Sequence, residues 1–141
     1  MTVNYFLDTN VLVYAFDNRD RAKQAIAKQY LDNLFNTENY FLSLQVVNEF
    51  CNIAQKKLAP VMPEKELQTF IALIPDNRIL PLTRQITMEA LRIQHAHQFS
   101  FWDSMIIAAA LSRECESILT EDLSDSQKIG NVTIRNPFKT S

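Results

Sequence analysis

Residues 3–16 read Val-Asn-Tyr-Phe-Leu-Asp-Thr-Asn-Val-Leu-Val-Tyr-Ala-Phe, and this stretch decides the fold. Its first five residues contain β-forming side chains and predict a strand, whereas the apolar run after Asn10 predicts a helix. Asp8 stands at the junction of the two. Because ligands of parallel α/β sheets bind outside the carboxyl ends of the strands, Asp8 has the position of a functional residue. In the alternative interpretation, Asp8 or Thr9 simply caps the helix.

The same alternation continues along the chain. Further β-like segments are predicted at residues 40–43, 79–82, 118–120 and 132–135. Helical segments lie between them, and strands that alternate with helices are typical of βαβ units in a parallel sheet. We therefore predict an α/β fold, and a length of 141 residues favours one domain over residues 1–141.

The helical segments are recognised by their apolar spacing and their first residues. In residues 20–35 the apolar stripe is predicted at Ala22, Ile26, Tyr30 and Leu34. Suitable N-cap residues precede three later segments, at Ser43, Thr83 and Ser100. The segment that follows Ser100 is apolar nearly all round over residues 105–111, which predicts a helix in the protein interior.

Composition excludes several classes of protein. A single glycine, Gly130, rules out a P-loop and a dinucleotide-binding fingerprint. A formal net charge of −2 excludes a globally basic nucleic-acid surface, so cations for a polyanion must be local. Two cysteines make no disulfide framework, the first residues lack a basic leader, and no apolar run approaches the ~20 residues of a membrane span. We expect a reduced, soluble, cytoplasmic protein.

Four acids stand at the ends or edges of apolar elements, where charge is unusual. They are Asp8 after the first strand, Glu49 beside the apolar face of the second helical unit, Asp103 in the first turn of the most apolar helix, and Asp122 after the fourth strand. Each has an ordinary explanation: helix capping, a side chain that reaches water, a capping box with Ser100, or a loop acid. Asp125 on the same loop as Asp122 is a weaker candidate.

The four acids taken together say more about function than any one of them alone. In a parallel sheet the carboxyl ends of the strands lie at one edge, so these carboxylates are expected to repel one another and to have raised pKa values. A bound divalent ion removes the conflict, and an all-oxygen donor set favours Mg²⁺ or Mn²⁺ over Zn²⁺. The residues therefore predict a carboxylate–metal site.

The order and local context of these residues resemble one family. Asp8-Thr9-Asn10, Glu49, Phe101-Trp102-Asp103, Thr120-Glu121-Asp122 and the final Ile134-Arg135-Asn136-Pro137-Phe138 resemble the PIN-domain family, and most closely its VapC-type toxin ribonucleases. The resemblance extends over essentially the whole chain. One departure is Ser126, where related sequences often carry glycine.

The resemblance implies a three-layer α/β/α sandwich with a parallel sheet of four to five strands in the order 3-2-1-4-5. It also implies Mg²⁺- or Mn²⁺-dependent cleavage of RNA, with Asp8, Glu49, Asp103 and Asp122 as the acidic cluster. A small antitoxin that blocks the cleft and a homodimer are the implied partners.

Roles follow for the individual residues. Asp8 is expected to be the central metal ligand, Asp103 and Asp122 its co-ligands, and Glu49 a ligand or a base that orients water. Hydrogen bonds to these carboxylates or to the scissile phosphate are expected from Thr9, Asn10, Ser43 and Thr120. Local cations for RNA are predicted at Arg19 and Arg21, with Lys23, Lys56 and Lys57 as further candidates and a solvated charged surface as the alternative.

Other chemistry-bearing residues have plainer interpretations. Trp102 is able to stack on a base, but its place beside a buried helix favours a core residue. His95 and His97 are two apart and are expected at the surface or in packing. Cys51 and Cys115 are expected to be buried free thiols.

Three other functions remain open at this point. Another carboxylate–metal nuclease of the RNase H-like or flap type would act on DNA. A phosphatase with an aspartyl nucleophile usually carries a second Asp two residues after the first, and Asn10 counts against it. A PIN-like domain that only binds or assembles is the third, and it predicts carboxylates that fail to converge.

Overall fold

A computed structural model describes residues 3–139 of the chain. Six strands and six α-helices are formed in this part, with a short 3-10 helix at Asp76–Arg78. The strands are β1 Tyr5–Leu7, β2 Tyr40–Ser43, β3 Ile79–Leu80, β4 Ser117–Leu119, β5 Lys128–Ile129 and β6 Val132–Arg135. The helices are α1 Thr9–Phe16, α2 Arg21–Thr37, α3 Leu44–Lys57, α4 Glu64–Leu73, α5 Arg84–His97 and α6 Phe101–Ser112.

The sheet has the order β3-β2-β1-β4-β6-β5. All pairs are parallel except β5 with β6, which is antiparallel. The α/β class and the predicted strand order are confirmed, but the sheet has six strands rather than four to five. The additional strand is β5, whose two residues are too few to show an alternating pattern in the sequence.

The central position of β1 brings distant parts of the chain together. Tyr5 pairs with Tyr40 on one side and with Ser117 on the other. The carboxyl ends of β1, β2 and β4 therefore lie side by side at one edge of the sheet, and the residues that follow them begin the candidate site.

The hydrophobic core is formed by residues of both the sheet and the helices. Phe6, Leu42 and Ile118 are fully buried strand residues, and Phe50 of α3 packs its ring 5.5 Å from that of Phe70 in α4. Helix α6 is buried from Ser104 to Ala110, as its nearly uniform apolar sequence predicts. No helix among residues 3–139 is both long and apolar enough to cross a membrane.

The buried face of α2 differs from the predicted stripe. The buried residues are Gln24, Ala27, Leu31 and Leu34, whereas Ala22 and Tyr30 are exposed. The polar Gln24 lies on this buried face, where its amide donates to Asn18 Oδ1 at 2.8 Å. The predicted stripe is confirmed at Leu34 and wrong at Ala22 and Tyr30, while Ile26 is half-buried.

The predicted helix caps are confirmed. The hydroxyl groups of Ser43, Thr83 and Ser100 accept hydrogen bonds from the backbone N–H groups of Val46, Ile86 and Asp103. His95 and His97 are exposed near the end of α5. Both cysteines are free, with Cys115 buried and Cys51 only half-buried, so the expected burial holds for one of the two.

Candidate active site

Asp8 is the most buried of the four acids. It directly follows β1, and its backbone N–H donates to the carbonyl of Leu119 in β4 at 3.1 Å. Its side chain is 8% exposed and accepts from the Thr9 N–H at 2.7 Å and from Thr120 Oγ1 at 2.8 Å. Burial raises the pKa of Asp8 to about 6 against the lowering effect of these two hydrogen bonds, and the charges of Glu49 and Asp122 add to the rise.

Asn10 holds Asp122 beside this carboxylate. Its side-chain amide donates to Asp122 Oδ2 at 3.0 Å and to Thr120 Oγ1 at 3.3 Å. Its carbonyl oxygen accepts from the backbone N–H of Glu121 at 3.2 Å. The first turn of α1 and the loop after β4 are thus joined, and the exposed Asp122 is fixed relative to the buried Asp8.

Glu49 reaches the site from the middle of α3. Its Oε2 accepts from Thr9 Oγ1 at 3.0 Å, and its Oε1 accepts from Gln45 Nε2 at 2.9 Å. The same Gln45 amide nitrogen donates to the backbone carbonyl of Trp102 at 3.2 Å. Helix α3 is therefore linked on one side to α1 and on the other to the first turn of α6.

Asp103 completes the group from α6, where it is half-buried. A cavity of about 440 Å³ is lined by all four acids, Asp8, Glu49, Asp103 and Asp122. They nonetheless leave some distance between them: in residues 3–139 no three His, Cys, Asp or Glu side chains form a ready-made metal site. The structure thus gathers the predicted acids around one cavity without closing them into a coordination sphere.

Their chemistry fits a hard divalent ion. The donors are oxygen atoms, and a nearly buried carboxylate with a raised pKa lies between two further negative groups. A cation among them would offset both the burial and the repulsion of the charges. Glu49 and Asp103 are half-buried and Asp122 is exposed, so the cavity that these carboxylates line is open to a cation from solvent.

A cluster of four residues, which we call the loop clamp, holds the segment that carries Asp122. It consists of Tyr14, Lys23, Glu121 and Phe138. The Lys23 ammonium forms an ion pair with Glu121 and lies 4.8 Å from the centre of the Tyr14 ring. Tyr14 also donates its hydroxyl to Glu121 Oε1 at 2.8 Å and packs edge-on against Phe138 at 4.9 Å. The clamp ties the loop after β4 to helices α1 and α2.

A basic group lies at the rim of the same cavity. Arg19 binds Asp17 with two nitrogen atoms, each at 2.8 Å, and Lys57 lines the cavity nearby. The Arg19 partner lowers the pKa of Asp17 to about 2. The cavity lining thus contains two cations besides the carboxylates, and one of them, Arg19, is paired with Asp17.

Not every predicted residue reaches the cavity. Thr9, Asn10 and Arg19 line it, and the buried Thr120 supports it through Asp8. Ser43 is buried as the cap of α3, and Arg21 and Lys56 do not line the cavity. Asp125 lies away from it, where its side chain accepts from the Asn136 N–H at 2.8 Å.

Trp102 corrects the expectation of a core residue. It is 60% exposed although it belongs to the first turn of the most buried helix, and it lines the cavity with the acids. Sequence reasoning also passed over Gln45, Tyr14, Asp17 and Glu121. Only Gln45 had a usable signal, since it precedes Glu49 by four residues on a helix.

A second cavity, of about 510 Å³, lies between β3, α5 and α6. Its only acid is Glu89, which is paired with Arg92. It is the larger of the two, but we place the candidate active site at the carboxylate cavity because the unusual charges are there.

The fold and the site define a class: a mostly parallel α/β sheet with carboxylates gathered at the carboxyl edge around its central strand. The PIN domain model matches residues 5–127, and the chain belongs to the PIN domain family. A search of curated proteins found no match.

Solved structures share this fold. A chain of the toxin–antitoxin complex from Klebsiella pneumoniae is 21% identical, with a TM-score of 0.66 and coverage of 97% of this chain and 100% of that one. VapBC2 from Rickettsia felis, bound to a promoter DNA fragment, gives 18% identity, a TM-score of 0.67 and coverage of 95% and 98%. The sarcin–ricin-loop-cleaving toxin VapC20 of Mycobacterium tuberculosis is 15% identical, with a TM-score of 0.62 and coverage of 84% of this chain and 90% of that one.

Proposed function

We propose that residues 1–141 form a single PIN-like nuclease domain that hydrolyses RNA phosphodiester bonds with Mg²⁺ or Mn²⁺, and that it is the toxin of a VapBC-type pair. The observation that supports this most directly is the buried Asp8, which shares one cavity with Glu49, Asp103 and Asp122. Burial raises the pKa of Asp8, so its charged form is unfavourable for the fold. A buried carboxylate of this kind is well suited to bind a cation.

In this proposal Asp8 is the central metal ligand, Asp103 and Asp122 are co-ligands, and Glu49 is a ligand or a base that orients water. The bound ion would supply charge neutralisation and Lewis acidity at the phosphodiester. The chain itself holds the carboxylates in place: Thr120 and the Thr9 N–H fix Asp8, and Gln45 with the Thr9 hydroxyl fixes Glu49.

Substrate contacts are proposed for residues that face the same cavity. Thr9 and Asn10 line its floor, and Arg19 and Lys57 lie at its edge, where they would contact RNA phosphates. Because the formal net charge is −2, attraction of RNA depends on such local cations. Arg21 and Ser43 lie outside the cavity, and the proposal assigns them no contact with RNA.

We further propose that a cognate antitoxin binds over this cavity. We also propose that the protein forms a homodimer and that it is located in the cytoplasm. The solved complexes of similar fold with antitoxins support the first. Two free thiols agree with a reducing compartment.

The deciding experiment compares wild type with Asp8→Asn on total RNA in Mg²⁺ and in chelator, followed by mapping of the cut ends. Wild type should give discrete 5′ ends only with the metal, and Asp8→Asn should reduce the rate at least about a hundredfold. Asp32→Asn is the matched control, because Asp32 is an exposed acid on α2 outside the cavity.

Matched RNA and DNA strands separate the proposal from its rivals. Preferential cleavage of the DNA strand would point to a DNA nuclease of related architecture. Equal RNA cleavage by wild type and Asp8→Asn would show that the activity arises elsewhere. No cleavage together with no Mn²⁺ binding would favour a non-catalytic domain.

A further inference from the structure

Trp102 is the most unusual apolar side chain at the candidate site. It is the only tryptophan of the chain, it is 60% exposed, and it immediately precedes Asp103. The seven helix residues that follow Asp103 are all buried. Large aromatic side chains usually contribute to the core, so this exposed indole adds little to the stability of the fold and calls for another explanation.

The indole contacts one aromatic neighbour, and the backbone of Trp102 is tied to the site. The ring of Phe101 lies 5.3 Å away at an interplanar angle of 73°, which restrains the indole from one side. The backbone carbonyl of Trp102 accepts from Gln45, whose same nitrogen donates to Glu49. Gln45 therefore links the backbone at Trp102 to a carboxylate of the site.

The surroundings indicate what kind of molecule would cover the ring. The cavity beside Trp102 is lined mainly by polar and charged residues, and only a few aliphatic side chains, Val13, Ile53 and Ile106, contribute to it. An apolar protein helix would leave those charges buried without partners. A nucleotide instead presents a flat aromatic base to the indole and an anionic phosphate to the metal site and to Arg19 and Lys57.

We propose that Trp102 is a stacking platform for one unpaired base next to the phosphate that is cleaved. This inference rests on the proposed RNA cleavage and adds a substrate requirement to it. A base must leave its own helix to stack on a protein ring, so the site would select single-stranded or looped RNA over continuous duplex.

The presence of a single tryptophan makes the contact directly measurable. The wild-type protein is mixed in Mg²⁺ with a ten-nucleotide oligoadenylate, and indole fluorescence is followed from the first milliseconds by stopped flow. The matched ligand is an abasic ribose-phosphate decamer with the same number of charges. The base-bearing strand should quench the emission of Trp102, and the abasic strand should leave it nearly unchanged.

Variants test whether the contact contributes to affinity. With dye-labelled oligoadenylate, Trp102→Ala should weaken binding roughly tenfold, and Trp102→Phe should restore most of the loss. Leu44→Ala is the control, because Leu44 is also exposed, at 40%, on the neighbouring helix but does not line the cavity. Cleavage of a looped RNA should fall mainly through a higher KM in Trp102→Ala.

Equal quenching by the abasic strand would overturn the inference, since charge alone would then explain the signal. It is also overturned if Trp102→Ala binds and cleaves RNA like wild type, a result that leaves the nuclease proposal standing. Loss of self-association in Trp102→Ala, by sedimentation and without base-dependent quenching, would instead assign the ring to a protein contact. Base-dependent quenching without any RNA cleavage would support the platform and contradict the nuclease.

Discussion

Thr120 donates its hydroxyl hydrogen to Asp8 across a distance of 2.8 Å, although the two residues are 112 positions apart in the chain. Each follows one of two neighbouring parallel strands, and Thr120 is fully buried. The same hydroxyl oxygen accepts from Asn10 and from the Asp122 backbone N–H. One side chain thus holds two candidate metal ligands, Asp8 and Asp122, in position by hydrogen bonds.

Replacement of Thr120 with valine should damage both stability and metal binding. The change keeps the shape of the side chain but leaves a buried Asp8 oxygen without its donor, which costs about 1–3 kcal/mol of unfolding free energy. Loss of an orienting hydrogen bond to a ligand typically reduces metal affinity or activity roughly 10- to 100-fold. Urea unfolding and Mn²⁺ calorimetry measure the two effects. Thr133→Val, on β6, is the control, and an unchanged Mn²⁺ affinity in Thr120→Val would contradict the assigned role.

Asp8→Asn should make the metal-free protein more stable. A charged carboxylate whose pKa is raised to about 6 disfavours the folded state at neutral pH by on the order of 1–3 kcal/mol. A neutral amide removes that cost, and the loss of one of the two hydrogen bonds that Asp8 accepts, worth about 0.5–1.5 kcal/mol, offsets only part of the gain. Calorimetry in chelator should show a higher Tm for Asp8→Asn than for wild type. Added Mg²⁺ should raise the Tm of wild type much more than that of the variant. A lower Tm for Asp8→Asn in chelator would speak against a strained carboxylate.

The loop clamp should matter for metal affinity more than for stability. Lys23→Met removes one of the two side-chain partners of Glu121, next to Asp122, so we expect weaker Mn²⁺ binding and slower RNA cleavage. The unfolding free energy should change little, because ion pairs that remain accessible to solvent contribute little to stability. Lys23→Arg should retain most of the affinity. Arg92→Met breaks the exposed pair with Glu89 and serves as control; an equal loss in both Met variants would remove the special role of the clamp.

Asp17 gives the protein an acid-dependent contribution to stability. Its pKa is lowered from 3.8 to about 2 by Arg19, so the fold favours the carboxylate. The resulting stability is fully present above about pH 4 and is lost as the pH falls toward 2. Because Arg19 is 66% exposed, the contribution should stay below about 1 kcal/mol.

Unfolding midpoints in urea between pH 2 and 6 test this assignment. Arg19→Met should be less stable than wild type at pH 6, and the difference should vanish near pH 2 because Asp17 is then becoming neutral in both proteins. Arg84→Met, which changes the same charge on α5, should show no such pH dependence. A wild-type-to-Arg19→Met difference that persists at pH 2 would assign the effect to packing.

Replacement of Ser126 with glycine should stabilise the fold. Its φ is 71°, in the left-handed region where a Cβ is unfavourable. Ser126→Gly should therefore raise the unfolding free energy by about 0.5–1 kcal/mol. The reverse type of change is Gly130→Ala, where φ is 59° and the added Cβ would lie 3.2 Å from Leu111 Cδ2. Opposite shifts in Tm are expected, and a decrease for Ser126→Gly would refute the strain.

The sheet and the four acids were predictable for a physical reason. Strands end where apolar residues give way to polar ones, so Asp8 and Asp122 were visible as acids at strand ends. Glu49 and Asp103 followed from helical spacing. Their meeting at one edge is a consequence of parallel strands, which sequence alternation already indicates.

Other features depend on contacts that local sequence does not contain. The hydroxyl of Tyr14 donates to Glu121, which lies 107 positions away in the chain, and the sequence around neither residue predicts this contact. The buried face of α2 includes Gln24, a polar residue that an apolar pattern ignores. Trp102 has a side chain of the type usually found in the core. It lies in the first turn of α6, where it lines the cavity and is 60% exposed.

The place of β1 in the middle of the sheet also bears on protein synthesis. A nascent chain that extends only through α5 contains Asp8 and Glu49, but the first strand still lacks its β4 neighbour, and Asp103, Thr120 and Asp122 have not been made. Such a partial chain cannot assemble the candidate active site. If the protein is a ribonuclease, a nascent chain therefore has no assembled site until the loop that carries Asp122 has been made.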